Sequence, residues 1–229
     1  MNAEVFSRSE ALLGAERMLR LRTIRVIIFG VGGVGSVCAE ALVRTGLTHL
    51  TIIDDDTVQP SNLNRQLMAT QPVLGQPKVN VLRERLLSIN PEAEIEARCE
   101  RVNCQWLDEH SLDGYDFVID AIDSVADKTD LIIRASRVRG AKVYSSMGAA
   151  LRFDPTQIRT AEFWDIKGDA LARALRERMK RIGLKPYKKI RCVYSLEQAQ
   201  QCETRGSLMP VTATFGCSLA ALVIQEIRK

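Results

Sequence analysis

The chain has 229 residues, of which 46% are hydrophobic and 26% charged, and this composition is typical of a soluble globular protein that buries a core without covalent staples. Its formal net charge of +4 is a mild bias, which suits a polyanionic partner without demonstrating one. The six cysteines form no Cys-x-x-Cys pair and there are only two histidines, so the sequence encodes no recognisable zinc or thioredoxin-type motif and disfavours histidine-based sites.

The sequence predicts a cytoplasmic protein. The first ten residues, MNAEVFSRSE, contain no apolar run and therefore lack the pattern of a signal peptide. The best candidate for a membrane span, residues 215–227, is shorter than the ~18 apolar residues that a span requires, and it contains Gln225 and Glu226. We therefore expect no membrane span.

Strand and helix patterns alternate along the first 150 residues. Helical patterns cover residues 8–21, 36–44, 78–89 and 125–139, and strand patterns cover residues 24–29, 49–53, 95–98, 117–120 and 142–146. Such alternation predicts βαβ units, which build a mostly parallel sheet. We therefore expect an α/β fold of the Rossmann-like type, with helices on both faces of the sheet.

The alternation becomes weaker after residue 150. Strand patterns cover residues 157–161 and 190–194, a helical pattern covers residues 169–182, and an apolar helix that runs to residue 228 follows a polar loop over residues 198–210. We therefore expect a single domain over residues 1–229, in which a nucleotide-binding core (1–150) is followed by a mixed α/β extension (151–229).

A glycine-rich turn follows the first strand and opens the next helix. The turn runs Gly30-Val31-Gly32-Gly33-Val34-Gly35 and matches G-x-G-x-x-G. In this motif Gly30 permits the tight turn, Gly32 lets the backbone approach a phosphate, and Gly35 lets the helix pack closely on the strand. Asp54 ends the next strand, where a carboxylate can accept hydrogen bonds from ribose hydroxyls. The motif predicts a nucleotide site, and a nicotinamide-dependent oxidoreductase fits it as well as an ATP-dependent enzyme.

Four polar residues further along the chain favour ATP over a dinucleotide. Arg65 and Lys78 can together neutralise a triphosphate, and Asn62 precedes them with an amide. Asp123 follows the fourth strand, at the edge where open α/β sheets bind ligands, and a carboxylate there can hold Mg²⁺. Singly, each residue is more often a surface charge or a helix cap. Their order along one glycine-rich scaffold predicts ATP and Mg²⁺ as cofactors.

These motifs resemble the adenylation domain shared by ThiF, MoeB and the ubiquitin-activating enzymes. The resemblance covers roughly residues 8–150 and rests on G-V-G-G-V-G, I-I-D-D-D-T-V, S-N-L-N-R-Q, G-Q-P-K-V and D-A-I-D-S. It implies that ATP and Mg²⁺ activate a carboxylate as an acyl-adenylate. It further implies these positions: Gly32 at the phosphates, within a cofactor-binding turn that also includes Gly30, Gly33 and Gly35, Asp54 at the ribose, Asn62, Arg65 and Lys78 at the triphosphate, Asp123 on Mg²⁺, and Arg8 in the ATP site of the partner subunit of a homodimer.

Three further segments resemble the bacterial tRNA threonylcarbamoyladenosine dehydratases. These segments are R-S-E-A-L-L-G from Arg8, D-P-T-Q-I from Asp154 and C-V-Y-S from Cys192. The paired Cys-x-x-Cys motifs usual in MoeB- and ThiF-like enzymes are absent from the sequence. The resemblance implies that the enzyme adenylates the carboxylate of the modified base, after which an internal nucleophile closes the ring and expels AMP. Arg65, Lys78 and Asp123 would then be the catalytic residues, and a sulfur-relay protein is an additional partner that the resemblance leaves open.

A basic segment fits a tRNA substrate. Residues 173–191 contain nine lysines and arginines and one acid, Glu177. Leu171, Leu175, Met179 and Ile182 follow helical spacing and predict a buried face. A run of charges is most often a solvated helix face, but the shortage of compensating acids favours contacts with RNA phosphates. The predicted tRNA contacts are Arg173, Arg176, Lys180, Arg181, Lys185, Lys188 and Lys189.

Two alternatives to this function stay open at the level of sequence. The first is an activating enzyme for a ubiquitin-like sulfur carrier, which would share the ATP site, and the second is a nicotinamide-dependent oxidoreductase, which would leave Asn62, Arg65 and Lys78 without a role. Cys192 bears on the first, because relatives of that kind use a cysteine as an acyl or sulfur acceptor. A lone cysteine in a β-rich segment is more often a small buried hydrophobic residue, and we assign Cys192 no catalytic role.

Overall fold

One seven-stranded sheet forms the centre of the computed structural model, which describes residues 4–204 and 206–228. The helices are α1 (Ser7–Leu13), α2 (Ala15–Thr23), α3 (Gly35–Thr45), α4 (Lys78–Ile89), α5 (Cys104–Glu109), α6 (Val125–Ala135), α7 (Ala170–Ile182) and α8 (Met209–Ile227). The strands are β1 (Arg25–Phe29), β2 (His49–Ile53), β3 (Glu94–Arg98), β4 (Phe117–Asp120), β5 (Lys142–Ser146), β6 (Ile158–Glu162) and β7 (Arg191–Ser195). Their order in the sheet is β3-β2-β1-β4-β5-β7-β6, and within the described residues only β6 runs antiparallel to its neighbour. The predicted α/β fold with a mostly parallel sheet is confirmed.

Helices cover both faces of the sheet because its central strands are apolar on both sides. In β1, Val26 and Ile28 point into one hydrophobic cluster, whereas Ile27 and Phe29 point into the other. The first cluster is closed by α1, α2, α3, α4 and α8, and the second by α5, α6 and α7. Burial on both faces explains the continuous β-branched runs that the sequence shows in place of alternation.

The segment after residue 150 completes both the sheet and one helical layer. Strand β7 pairs in parallel with β5 and antiparallel with β6, so both late strands extend the sheet formed by the earlier ones. Helix α8 packs closely against the start of α3. A Cβ added to Gly216 of α8 would lie only 2.4 Å from the carbonyl oxygen of Val34, the residue that precedes α3. The C-terminal part of the chain therefore supports the glycine-rich turn directly.

Three helices differ from the sequence prediction. The predicted helix over residues 8–21 is divided into α1 and α2 at Gly14, whose φ of +81° is left-handed. Helix α6 ends at Ala135 instead of residue 139, since the chain turns at Ser136, whose hydroxyl accepts a hydrogen bond from Tyr187 N–H. Helix α5 was not predicted, because six residues are too few to establish a helical period.

Helix α8 is longer than the apolar stretch 215–227 seen in the sequence. Its 19 residues from Met209 to Ile227 are long and apolar enough to cross a membrane by length and composition. Half of its most apolar window is buried inside the protein, however, and Phe215, Leu219 and Val223 are fully buried in the core. The helix thus has the burial of a core helix, and its composition is weak support for a membrane span.

Candidate functional site

A cavity of about 600 Å³ opens where β1, β2, β4 and β5 end. The carboxyl ends of parallel strands are the usual ligand-binding edge of an open α/β sheet. The predicted nucleotide contacts that line this cavity are Gly30, Gly32, Gly33, Asp54, Asn62, Arg65, Lys78 and Asp123. Residues from five separate stretches of the chain therefore meet in one place, and of the predicted contacts only Gly35 and Arg8 do not line it.

The glycine-rich turn requires glycine at its two ends. A Cβ at Gly30 would lie 2.8 Å from the carbonyl oxygen of Ala121, and one at Gly35 would lie 1.9 Å from the carbonyl oxygen of Gly30. Gly35 therefore serves close packing at the start of α3. At Gly32, in contrast, the nearest group to an added Cβ would be Gln66 Nε2 at 3.7 Å, so its backbone is open to a ligand.

The carboxylate of Asp54 holds this turn against the end of β2. Its Oδ2 accepts a hydrogen bond from Val31 N–H at 2.8 Å, and its Oδ1 accepts one from Asp56 N–H at 2.9 Å. Burial raises the pKa of Asp54 above its ordinary value, an effect that Lys78 and the two N–H donors partly offset. Each carboxylate oxygen has a second acceptor site, so Asp54 can still accept from a ribose hydroxyl.

Lys78 is a buried cation at the start of α4. The residue is only 5% exposed, and its Nζ lies 2.6 Å from the Oδ2 of Asp56, whose side chain is largely exposed. An ammonium has three N–H donors, so Lys78 can bind an anion while keeping this ion pair. The first N–H groups of α4 lie beside it and add the positive end of a helix dipole.

Asn62 and Arg65 lie on the loop between β2 and α4. Asn62 is buried, and its Oδ1 accepts a hydrogen bond from Gln59 N–H at 3.0 Å, which fixes the amide in the cavity wall. One terminal nitrogen of Arg65 donates to Ser61 O and Asn64 Oδ1, both at 2.9 Å. The remaining N–H groups of the Arg65 guanidinium have no protein acceptor among the described residues, and so they are available to a ligand.

Asp123 is an exposed carboxylate on the turn between β4 and α6. Across residues 4–204 and 206–228, its side chain makes no hydrogen bond or ion pair. A buried ion pair lies at the base of the same turn, where Lys128 Nζ is 2.8 Å from Asp120 Oδ2 and donates to Ile122 O at 2.9 Å. The buried pair therefore fixes the turn, while no described residue pairs with the Asp123 carboxylate.

The sequence reasoning missed the second wall of the cavity, which residues 146–152 and 169–171 form. Arg152 is 4% exposed and donates to the carbonyl oxygens of Gly148, Ala150 and Glu197 as well as to Asp169 Oδ2 at 3.2 Å. Asp169 also caps α7, since its Oδ1 accepts from Ala172 N–H at 2.9 Å. No motif in the sequence marks this Arg152–Asp169 pair.

Two further features of the cavity wall have no counterpart in the sequence reasoning. Leu151 has a φ of +62°, a left-handed conformation that is unfavourable for leucine and typical of functional segments. Gln66 is 7% exposed, and its Oε1 has no hydrogen-bond partner among the described residues. The sequence indicated Gln66 only by its place at the end of the tract S-N-L-N-R-Q.

Arg8 and the basic segment lie outside the cavity. Arg8 is exposed on α1, and no atom of it reaches the cavity of its own chain. Of the predicted tRNA contacts, five are exposed: Arg173, Lys180, Arg181, Lys185 and Lys189. None of the seven predicted contacts lines the cavity.

Arg176 and Lys188 are half-buried and bonded to backbone carbonyl oxygens, not fully exposed as the sequence reasoning expected, and in this respect the prediction is wrong. The Arg176 guanidinium donates to the carbonyl oxygens of Phe163 and Ile166, both at 3.0 Å, and lies over the Phe163 ring. Lys188 Nζ donates to Val138 O at 2.8 Å and to Ala141 O. Ile182, expected on the buried face of α7, is 37% exposed because the helix ends there.

The thiol of Cys192 is fully buried in β7. Burial raises its pKa well above the ordinary range, so the nucleophilic thiolate does not form near neutral pH. The interpretation of Cys192 as a small buried hydrophobic residue is confirmed.

Comparisons with known proteins show which family and which enzymes the chain is similar to. A model described as the ThiF family matches residues 6–229. The chain is 36% identical over 192 residues to the tRNA threonylcarbamoyladenosine dehydratase of Bacillus subtilis, covering 84% of this chain and 74% of that protein. Among solved structures, the E. coli tRNA N6-threonylcarbamoyladenosine dehydratase in complex with ATP matches with a TM-score of 0.92 and 34% identity, covering 98% of this chain and 94% of that one. The same E. coli enzyme in complex with AMP matches with a TM-score of 0.89, 33% identity and the same coverage.

Proposed function

The chain belongs to the ThiF family, and we propose that it is an ATP-dependent tRNA threonylcarbamoyladenosine dehydratase. The observation that carries the proposal is the single cavity in which the glycine-rich turn meets Asn62, Arg65, Lys78 and Asp123. The similarity to dehydratases of B. subtilis and E. coli extends over most of the chain and supports the same function.

ATP binds with its phosphates at the glycine-rich turn. The backbone of Gly32 approaches them, and the N-terminus of α3 contributes free N–H groups and the positive end of its dipole. Asp54 accepts from the ribose hydroxyls, while Asn62, Arg65 and Lys78 donate to the triphosphate. Because Arg65 and Lys78 are cations at fixed positions, they also stabilise the charge that develops during phosphoryl chemistry.

The charges around the cavity fit an additional cation. The described lining has seven acids and four bases, namely Asp54, Asp55, Asp56, Glu100, Asp123, Asp127 and Asp169 against Arg65, Lys78, Arg101 and Arg152. A polyanionic triphosphate in such surroundings requires further positive charge. Among the residues that the structure describes, none pairs with the Asp123 carboxylate, and Mg²⁺ prefers one or two carboxylates together with phosphate oxygens. When bound there, Mg²⁺ supplies charge neutralisation and orientation of the phosphates.

The reaction needs positioning more than protein nucleophiles. A carboxylate is a poor electrophile, and transfer of AMP to it, with release of pyrophosphate, supplies a good leaving group. An internal nucleophile of the modified base then attacks the activated carbonyl, AMP leaves, and the ring closes with net loss of water. The wall of residues 146–152 borders the strands that hold the ATP contacts, and we assign the modified base to it. Cys192 is buried and takes no part in the transfer.

The active enzyme is a homodimer in which Arg8 of each subunit reaches the ATP site of its partner. Arg8 is exposed, and it does not line the cavity of its own chain. Leu12 and Leu19, which are 86% and 63% exposed on α1 and α2, supply apolar surface for such an interface. In a homodimer, the second copy would bury both leucines.

The basic residues Arg173, Lys180, Arg181, Lys185 and Lys189 contact the phosphates of tRNA, and the enzyme acts in the cytoplasm, where tRNA is modified. Arg176 and Lys188 support this segment from within. A sulfur-relay protein as a further partner stays a prediction from the resemblance.

The direct test is to incubate the purified protein with ATP, Mg²⁺ and tRNA that contains threonylcarbamoyladenosine, and then to analyse the nucleosides by mass spectrometry. We expect loss of the mass of one water from the modified nucleoside, with one AMP formed per conversion. Conversion should require ATP, and NAD should not replace it. AMP formation that depends on a ubiquitin-like carrier protein and not on tRNA would overturn the proposal.

A further inference from the structure

Two distant stretches of the chain are joined at the amino end of the sheet. Lys188 Nζ donates to the carbonyl oxygens of Val138 and Ala141, and Tyr187 N–H donates to Ser136 Oγ at 2.9 Å. These bonds fix the segment between α7 and β7 against the turn between α6 and β5. Lys188 therefore acts as an internal clamp, and the residues on either side of it are directed outward.

The joined stretches and the last turn of α7 together expose positive charge that no acid pairs with among the described residues. We define the amino-end basic surface as Arg137, Arg139, Lys180, Arg181, Lys185 and Lys189, all of them exposed. None of these six cations forms an ion pair within the part of the chain that the structure describes. The nearby acids pair with other cations: Asp108 with Arg134, Asp130 with Arg178, and Glu177 with Arg173. Arg137 and Arg139 belong to this surface only through the fold, since they lie outside the basic segment of the sequence.

An exposed tyrosine lies among these charges. The side chain of Tyr187 is 85% exposed, although its backbone is held by Ser136. The ring is therefore accessible to a partner, and its position in the chain is fixed by the backbone hydrogen bond. Rings interleaved with lysine and arginine are typical of surfaces that bind nucleic-acid backbones and unstacked bases.

The surface is remote from the cavity. Helix α7 begins at the cavity wall with Ala170, and its last turn, which ends at Ile182, contains Lys180 and Arg181 of the basic surface. At a rise of 1.5 Å per residue, the two ends of α7 are about 18 Å apart. Strand β5 also separates the two regions, since Ser146 lies at the cavity and Lys142 lies at the opposite end of the strand. A nucleotide held in the cavity therefore cannot itself touch the basic surface.

We propose that the amino-end basic surface binds the sugar-phosphate backbone of the substrate tRNA outside the loop that contains the modified base, with Tyr187 packed against a ribose or an unstacked base. This inference rests on the proposed function. It follows because a tRNA bound with one base in the cavity is large enough to extend over a surface that begins about 15 Å along α7, and lysines and arginines on such a surface recognise phosphates without reading sequence. RNA is favoured over an acidic protein because the tRNA is already tethered at the cavity.

Charge-removing variants test the inference on the full-length protein. One variant combines Lys185→Gln with Lys189→Gln, and a second combines Arg137→Gln with Arg139→Gln. The matched control combines Arg44→Gln with Arg83→Gln, which removes the same charge from α3 and α4 on the opposite face of the sheet. Tyr187→Leu and Tyr187→Phe test the ring. Melting curves and ATP binding establish that each variant is folded.

We measure KM and kcat for conversion of threonylcarbamoyladenosine-containing tRNA, and the salt dependence of tRNA binding. Each test pair should raise KM roughly tenfold at physiological salt, with kcat unchanged, and should lower the log–log salt slope by about two units. The control pair should behave like the wild type. Tyr187→Leu should weaken binding, and Tyr187→Phe should restore it.

The experiment distinguishes failure of the proposed function from failure of the inference about this surface. If the wild type does not convert the tRNA nucleoside, the proposed function is wrong. If the wild type converts it and both test pairs match the control in KM and salt slope, the proposed function stands and the inference about this surface is wrong. Binding of an acidic protein, lost in the same variants while tRNA binding is unchanged, would also overturn the inference.

Discussion

Lys128 and Asp120 form a completely buried ion pair, with 2.8 Å between Nζ and Oδ2, beneath the turn that presents Asp123. Ser145 donates to the same Oδ2 at 2.6 Å, and Ile122 N–H donates to Asp120 Oδ1 at 3.1 Å. The charges are thus satisfied by one another and by neutral partners, which is the condition under which a buried pair is tolerated. The pair joins β4, β5 and α6 below the cavity.

Replacing Lys128 with Met should destabilise the fold, because Asp120 would then be a buried charge without a counter-ion. We expect a loss of about 3–5 kcal/mol in the free energy of unfolding, measured in urea. The double variant Asp120→Leu with Lys128→Met should recover part of the loss, since it leaves no charge behind. A single variant as stable as the wild type would show that the pair contributes nothing to the fold.

Asp123→Ala should nearly abolish AMP formation while the protein stays folded. An exposed carboxylate at the end of a strand contributes little to the core, whereas a metal-holding carboxylate is needed at every turnover. Asp113→Ala removes an exposed carboxylate elsewhere and serves as the control. Unchanged turnover by a folded Asp123→Ala protein would rule out its predicted role toward Mg²⁺.

Mixing Arg8→Ala subunits with Asp123→Ala subunits should restore part of the activity that each variant lacks alone. A hybrid dimer would contain one site with both an intact Asp123 and an intact Arg8 from the partner. Subunit exchange is verified with two differently tagged chains. Absence of recovery in verified hybrids would contradict a shared site, as would a protein that stays monomeric at assay concentration.

Cys192→Ala should leave AMP formation and tRNA conversion at wild-type levels. In the folded protein, thiol reagents at mildly alkaline pH should label the exposed Cys99, Cys104, Cys202 and Cys217 and spare Cys38 and Cys192, because burial raises the pKa of both spared thiols. Mass spectrometry of labelled peptides reads out the pattern. Loss of tRNA conversion in a folded Cys192→Ala protein would revive the acyl- or sulfur-acceptor role.

Arg176→Gln should lower stability, whereas Arg173→Gln should not. Arg176 satisfies two carbonyl oxygens ahead of α7, and its loss should cost about 1–3 kcal/mol in unfolding free energy. Arg173 is exposed and 4.0 Å from Glu177, a separation at which a surface pair contributes little. Urea unfolding of both variants tests the difference, and equal stabilities would refute the internal role of Arg176.

The central strands could be predicted because burial on both faces produces continuous β-branched runs, as in Val26 to Phe29. Helix α4 could likewise be predicted from residue 78 to 89, because Pro77 precedes it and Pro91 follows it. The break at Gly14 and the early end of α6 depend on a left-handed glycine and on a contact with Tyr187. Neither leaves a periodic signal.

The residues of the cavity likewise include some that could be predicted from the sequence and some that could not. Gly30, Asp54, Lys78 and Asp123 could be predicted because each closely follows a strand or opens a helix, so that topology brings them together, whereas Asn62 and Arg65 lie on a loop and were predicted from the tract S-N-L-N-R-Q. The Arg152–Asp169 pair could not, since it joins two loops through tertiary contacts. The exposure of Arg176 on α7 and of Lys188 on the segment after it was predicted wrongly because a run of charges does not reveal which carbonyl oxygens of other elements lie within reach.

The packing of Gly216 against Val34 has a consequence for synthesis of the chain. The glycine-rich turn is synthesised early, whereas α8, the helix that supports it, is synthesised only after β7. At translation rates of 5–20 residues per second, the nascent turn waits roughly 10 to 40 seconds for its support. During that interval α3 exposes the apolar side that α8 later covers. Newly made chains should therefore acquire ATP binding late, and chains interrupted before residue 209 should be substrates for chaperones and proteases.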